Sequence, residues 1–268
     1  MDTFTQKKDF LEKHIKLQKE LIFDDVSKTL DGKAMFAFSK IDNSKVNNLV
    51  LVNEPLSDKE ILFLEKKCKD VNREASIYFI KEKRFEKFVT LLKKYGYKKD
   101  YVDVCMYFAK KSLKVVEYKD NRFIKVSSRE ELDTFIETFK KCYQDNDPQN
   151  PYGNLGTKSY IASINNSWNK SNKKKNVTFY VIYKKRKPVA VSELISWNGF
   201  GYILNVGSLK EVRGEGFGKY ATLCAVKDSL TNGNIYHYLM TEEDGYPSHF
   251  YTKIGFKKKF SCICYSKM

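Results

Sequence analysis

The sequence predicts a mixed α/β fold built twice over, with a largely antiparallel central sheet flanked by helices. Three observations lead there. Strand-like and helix-like apolar periods alternate along the chain. Three strand-like runs in the second half follow one another through short turns, and one stretch of the first half recurs in the second. The length of 268 residues holds one large or two modest domains, and a composition 42% hydrophobic and 15% aromatic supplies a packed core rather than a disordered chain.

Phe10, Leu11, His14, Ile15, Gln18, Leu21 and Ile22 recur at helical spacing and open the chain with an amphipathic helix, where His14 is a surface or core-edge residue and not a ligand. "NNLVLV" (47–52) reads as a strand. Ser57 then caps a helix running to about Val71, with Glu60 at the capping-box position. "ASIYFI" is a strand, "KRFEKFVTLLKKY" a helix and "YVDVCMYFA" a strand. After Lys110 the apolar pattern lapses, which places a domain boundary near 111–121 and gives domains of 1–112 and 121–268. "NRFIKV" opens the second series, and Ser127 or Ser128 caps a helix through "EELDTFIETFKKCY". Gln144 to Gly156, with Pro148, Pro151 and Gly153, is a loop by composition. "VTFYVIY", "PVAVSELISW" and "GYILNVGSL" form an antiparallel meander that leads into "VRGEGFGKYA".

The repeat is "KYGYKKDYVDVCM" (94–106) against "KIGFKKKFSCICY" (253–265). It matches Lys94 to Lys253, Gly96 to Gly255, and Cys105 to Cys264 at a constant offset of 159 (255 minus 96). Both copies follow a strand and a helix, as two versions of one fold would.

Charge narrows the partners without choosing one. Lys and Arg outnumber Asp and Glu by 49 to 33, a net charge of +16, which suits nucleic acid, a membrane surface or a phosphorylated cofactor. The lysines are scattered, and "NKKKN" (172–176) is a solvated loop. No aromatic-basic module accompanies it, so a nucleic-acid partner ranks behind the others. Cys68, Cys105, Cys142, Cys224, Cys262 and Cys264 lie mostly in apolar runs, and Cys262 and Cys264 share one face of a strand, which reads as buried reduced thiols. No signal peptide or membrane span is visible, so the expectation is a cytoplasmic, soluble protein. No metal site is assigned.

Three glycines stand within five positions at 214–218. A phosphate loop of the G-x-x-x-x-G-K-[ST] kind fails, because Arg213 occupies the first glycine position and Tyr220 follows the lysine. G-x-G-x-x-G fails by one residue of spacing. What remains is R-x-x-G-x-G, formed by Arg213, Gly216 and Gly218, at the end of a strand and the start of a helix. Unpaired amides at a helix start, with the positive end of the macrodipole, form an anion site; glycine lets backbone approach closely, and the arginine adds a charge beside it. A glycine-rich turn with no ligand is the alternative.

"NVGSLKEVRGEGFGKYATLCAVKDSL" followed by "YHYLMTEEDGYPSHFYTKIGFKK" resembles the acyl-CoA-binding half of the GCN5-related N-acetyltransferase superfamily, over residues 121–268. The resemblance implies acetyl-CoA as cofactor. It places the pyrophosphate on the loop Arg213, Gly214, Glu215, Gly216, Phe217, Gly218 and Lys219, the pantetheine arm beside Val206, Gly207 and Ser208, and Tyr251 near the thioester sulfur. Tyr251 would donate a proton to the leaving thiolate; packing on the sheet is its other reading. For the general base Glu193, Glu242 and Glu243 stand as candidates, and Glu193, a charge within an apolar strand, is taken with Tyr251 as catalytic. The segment from Thr241 to Phe250, with Gly245 and Pro247, is longer than the family's and leaves the last helix less firmly placed.

The first half resembles the same fold in degenerate form. At the same offset Glu54 to Lys59 stand where Arg213 to Gly218 stand, with no glycine, and Leu92 replaces Tyr251, so this copy is expected to hold no cofactor. The expected function is transfer of an acetyl or related acyl group from acyl-CoA to a primary amine, small molecule or peptide. A non-catalytic acyl-CoA-binding or interaction module is the alternative. Acceptor specificity would lie in Tyr143 to Trp168 and in the cleft between the copies, with Asp145 and Asp147 able to attract a cationic amine. The tandem copies are compatible with a monomer.

Overall fold

A computed structural model describes residues 7–41, 43–109, 113, 121–144, 147, 157–170 and 176–267. Asp145, Lys173 to Lys175 and most of the boundary at 111–121 therefore lie outside the described residues. The elements run α1 (Lys7–Gln18), β1 (Asp25–Thr29), β2 (Ala34–Phe38), β3 (Asn48–Val52), α2 (Asp58–Asp70), β4 (Ile77–Ile80), α3 (Glu86–Lys94), β5 (Lys98–Phe108), β6 (Asn121–Lys125), α4 (Arg129–Cys142), α5 (Lys158–Lys170), β7 (Asn176–Lys184), β8 (Lys187–Trp197), β9 (Phe200–Ser208), α6 (Phe217–Thr231), β10 (Tyr236–Glu242), α7 (Tyr246–Lys253) and β11 (Phe256–Ser266). The class is mixed α/β, with mostly antiparallel strands.

The chain forms two compact units, residues 1–104 with 260–268 and residues 105–259. In the first, the strand order is β1-β2-β3-β4-β11-β5, with β3 and β4 parallel and β4 antiparallel to β11. Its core gathers Val50, Val52, Ile61, Leu64, Phe79 and Phe88 with Ile263 and Tyr265. In the second, the order is β5-β10-β9-β8-β7-β6, with β6 to β9 an antiparallel meander and β9 parallel to β10.

The division differs from the expected 1–112 and 121–268. β11 begins in the second unit, but from Phe260 onward it belongs to the first, because Cys262 to Tyr265 pair with Ile80 to Ile77 and Ile263 and Tyr265 enter that core.

The two halves of the sequence share one succession: three strands, a helix, a strand, a helix and a strand, from β1 to β5 and from β7 to β11. The offset found in the closing segment extends through this series. Asp58 and Phe217 begin α2 and α6, Ile77 and Tyr236 begin β4 and β10, and Lys94 and Lys253 end α3 and α7, each pair 159 apart (217 minus 58, 236 minus 77, 253 minus 94). In both units the strand before the central helix pairs in parallel with the strand after it.

Two local expectations change. α1 stops at Gln18 because Glu20 takes a left-handed φ of 71° and the amides of Leu21 and Ile22 turn back onto the Gln18 carbonyl. His14 is buried, not at the core edge. Burial holds it neutral, its pKa lowered to about 3, with a ring nitrogen 3.0 Å from Gln18 Nε2. All six cysteines are buried free thiols, as their apolar settings suggest.

Candidate functional site

β9 ends at Ser208, and a short turn over Lys210–Val212 carries the chain to Arg213 and the glycines. Gly214 and Gly216 have φ of 86° and 90°, the left-handed region that costs side-chain-bearing residues energy. A Cβ at Gly214 would meet nothing within 4 Å, so backbone conformation alone demands glycine there. Gly216 is the N-cap of α6 and offers no side-chain oxygen to the first turn. Gly218 differs. A Cβ there would lie 3.5 Å from Phe250 and 3.7 Å from Ser208 Oγ, ordinary contact, so its bareness leaves room at the helix start and relieves no strain.

The equivalent helix start in the first unit is closed by its own side chains. Ser57 stands 159 residues before Gly216. Its Oγ accepts from the Glu60 amide at 3.4 Å, while the Glu60 carboxylate accepts from the Ser57 amide at 2.8 Å. Lys33 and Ser57 hold that carboxyl down to about 2. α2 thus has the capping box read from the sequence, whereas α6 has no side-chain cap.

Arg213 does something other than stand beside the loop as a spare charge. Its guanidinium grips Asp147 with two bonds of 2.8 and 2.5 Å and reaches the Cys142 carbonyl at 3.2 Å, and this pairing raises its pKa further. The ion pair is largely buried, with the Asp147 side chain 5% exposed. Asp147 is therefore committed to Arg213 and is not available to draw in an amine. Glu215 pairs with Lys184 at 2.6 Å, Phe217 is buried in the core under the loop, and Lys219 is half-buried on the first turn.

β9 and β10 pair in parallel at Phe200–Tyr202 with Tyr236–Tyr238. Val206, Gly207 and Ser208 lie further along β9, beyond that register. Tyr143, at the end of α4, donates its hydroxyl to the Val206 carbonyl. Gly207 is required by this packing, since a Cβ would fall 2.8 Å from the Cys142 Cβ and 3.1 Å from the Tyr143 ring.

Glu193 lies on β8 with 1% of its surface exposed. Burial raises its pKa to about 8, and Asn205 Nδ2, donating at 2.7 Å, partly offsets this. Asn205 arrives there through a bulge. Val191 faces Gly207 and Glu193 faces Leu204, which leaves β9 one residue longer, and Asn205 takes a φ of 51°. Glu242 is solvent-exposed, its carboxylate lying over Gly245, and Glu243 is half-buried. Sequence reasoning missed Asn205. Its only signal was a polar residue between apolar ones in "ILNVG".

Tyr251 sits on α7, whose first turn takes Pro247 where no intrahelical N–H is needed. The extra residues before it thus end in a regular helix. Tyr251 packs edge-on to Phe250 and Phe256, and burial, with Tyr246 nearby, raises its phenol above the ordinary value. Tyr143 is raised by burial and then by Tyr251, which places the two phenols within electrostatic reach of each other. The set comprises a helix start without a side-chain cap, a strand segment beyond the parallel register, a buried acid and a buried phenol. Among the described residues no three His, Cys, Asp or Glu side chains come together to hold a metal, and no helix is long and apolar enough to cross a membrane.

No family profile matches the sequence, and no curated protein matches it. Solved structures do. A GCN5-related N-acetyltransferase from Kribbella flavida superposes with a TM-score of 0.68 at 16% identity, covering 96% of this chain and 95% of its own. A conserved protein of unknown function from Staphylococcus epidermidis ATCC 12228 gives 0.69 at 15%, over 91% and 94%. A tandem protein of the same superfamily from the clavulanic acid biosynthesis pathway gives 0.58 at 8%, over 87% and 77%. At these identities the likeness is one of fold. The chain has the fold of the GCN5-related N-acetyltransferase superfamily, in its tandem arrangement.

Proposed function

We propose that the second unit transfers an acetyl or related acyl group from acyl-CoA to a primary amine. The observation that carries this reading is the contrast between the two equivalent helix starts: α2 closed by Ser57 and Glu60, α6 opened by Gly216 with no side-chain cap. Backbone from Arg213 to Lys219 would hold the pyrophosphate, and Val206 to Ser208 would pair with the pantetheine arm once Tyr143 releases the Val206 carbonyl. The bound thioester supplies the activated acyl group.

The chain's own residues supply proton management. An amine attacks only when neutral, so a base must take its proton. Glu193, with a pKa of about 8, is mostly protonated at neutral pH, and its ionised fraction grows through the slightly alkaline range where amines also begin to lose theirs. It accepts the proton at its carboxylate, directly or through one water. Tyr251, held protonated by burial, donates to the departing sulfur. The amide of Gly207 would serve the carbonyl oxygen as charge develops. The acceptor is a small amine or a peptide, selected by side chains between Tyr143 and Trp168. Six buried free thiols fit a reducing compartment, so we place the protein in the cytoplasm; a single tandem chain would work as a monomer.

Free-thiol release measured with acetyl-CoA and a panel of amines tests this directly. Amine-dependent release supports the reading. Tight acyl-CoA binding with no turnover on any amine would instead favour a binding module that kept the loop and lost the chemistry.

A further inference from the structure

At the end of α2 opposite Ser57, the first unit contains a polar cavity of about 500 Å³. α2 finishes in a regular turn: the Asn72 amide bonds the Lys69 carbonyl at 2.9 Å, the Arg73 amide bonds the Cys68 carbonyl at 2.8 Å, and Asn72 takes the left-handed φ of 55°. That turn brings Lys69 and Arg73 to the cavity wall, where they meet Lys45, Asn48 and Ser76 from the starts of β3 and β4.

The charges there are only partly cancelled among the described residues. Arg73 is held by neutral oxygens only: Asn48 Oδ1 at 2.8 Å, the Ser39 carbonyl at 2.7 Å, and the Asn72 and Val71 carbonyls at 3.0 and 3.4 Å. Lys45 is held by Ser266 Oγ at 3.1 Å and the Lys267 carbonyl at 2.9 Å, with Glu74 only at 4.0 Å. Glu74 also lines the cavity, exposed, which among the described residues sets three cations against one carboxylate. Ser76 lines it too. It is wholly buried, and among the described residues its Oγ has no hydrogen-bond partner, an arrangement that is unfavourable unless something external satisfies the hydroxyl. An excess of cations, with Arg73 and Lys45 held in place, beside a buried hydroxyl is the complement of a small multivalent oxyanion.

We propose that this cavity binds a small phosphate-bearing molecule, giving the first unit a ligand site of its own, remote from its closed helix start. Arg73 and Lys45, already oriented, would face the phosphate oxygens; Ser76 would donate its hydroxyl, and Lys69 would close over the top.

Amide chemical shifts of the full chain titrated with inorganic pyrophosphate, with succinate as comparison, test the proposal. Saturable shifts are expected over Lys69 to Ser76. Lys69→Glu, at an exposed position, should weaken them about tenfold without disturbing the rest of the spectrum. Ser76→Ala should weaken them too, while leaving the melting temperature unchanged or higher, since it removes an unsatisfied group. Shifts confined to Arg213–Lys219 would overturn the proposal, because the probe would then be using the α6 start alone. Shifts over 69–76 that persist equally in both variants, or an equal response to succinate, would overturn it as well and leave Lys69 and Arg73 as cations serving only the helix end.

Discussion

Burial on β8 sets the proton affinity of Glu193, and both stability and rate should report it. Its folded-state pKa of about 8 lies above the 4.5 of an exposed glutamate, so the folded state binds the proton more tightly than the unfolded one. That contribution is fully present below about pH 4.5 and is lost as pH rises through about 8. Glu193→Gln should therefore gain stability relative to wild type with rising pH, on the order of a few kcal/mol between pH 5 and pH 9; equal melting-temperature differences at both pH values would contradict this. In turnover, the wild-type rate should rise with a midpoint near pH 8 and level off above it, and the Gln variant should lose that limb along with about a hundredfold or more in rate. Tyr251→Phe should lower turnover by about tenfold to a thousandfold with little change in cofactor affinity. A fully active variant would leave Tyr251 only its packing against Phe250 and Phe256. The sequence pointed to Glu193 because a charge in an apolar strand stands out. It could not disclose Asn205, whose approach depends on a bulge created by pairing between two strands, nor that Asp147, 66 residues before Arg213, would take up the arginine's charge.

At the scale of the element, α2 and α6 form a controlled pair within one chain, equivalent in position and opposite at the cap. Ser57→Ala should cost about 1 kcal/mol of stability through the lost capping box, read by denaturant unfolding, with no effect on coenzyme A affinity. Within the loop, Gly214 and Gly216 are fixed by backbone angle, whereas Gly218 has room for a small side chain. Gly218→Ala should accordingly leave the melting temperature nearly unchanged while lowering coenzyme A affinity, since the added methyl group occupies space at the amides; unchanged affinity would show that the helix start is not where the anion lies. These elements were legible from short-range signals: a capping residue, a glycine run, a period of 3.6. β1, β2 and α5 were not read from the sequence. "AMFAF" is a wholly buried strand without alternation, and α5 follows a long polar stretch that masks its start.

Across the whole molecule, the repeat was visible in its closing segment, yet the destination of that segment was not. The end of β11 pairs with β4, which lies some 180 residues earlier (262 minus 80 is 182), and such pairing leaves no local trace. Truncation after Lys259 should therefore unfold the first unit by removing Ile263 and Tyr265 from its core, seen as lost hydrogen-exchange protection over β3 and β4; retained protection there would refute the assignment of residues 260–268 to that unit. In the proposed function one helix start takes the phosphorylated cofactor while its counterpart, closed by Ser57 and Glu60, takes none. Calorimetric titration of coenzyme A into the full chain, and into a Gly216→Val, Gly218→Val double variant verified as folded, puts that to the test. The expected result is one molecule bound per chain and no binding by the variant. Two molecules per chain, or undiminished affinity in the variant, would contradict it.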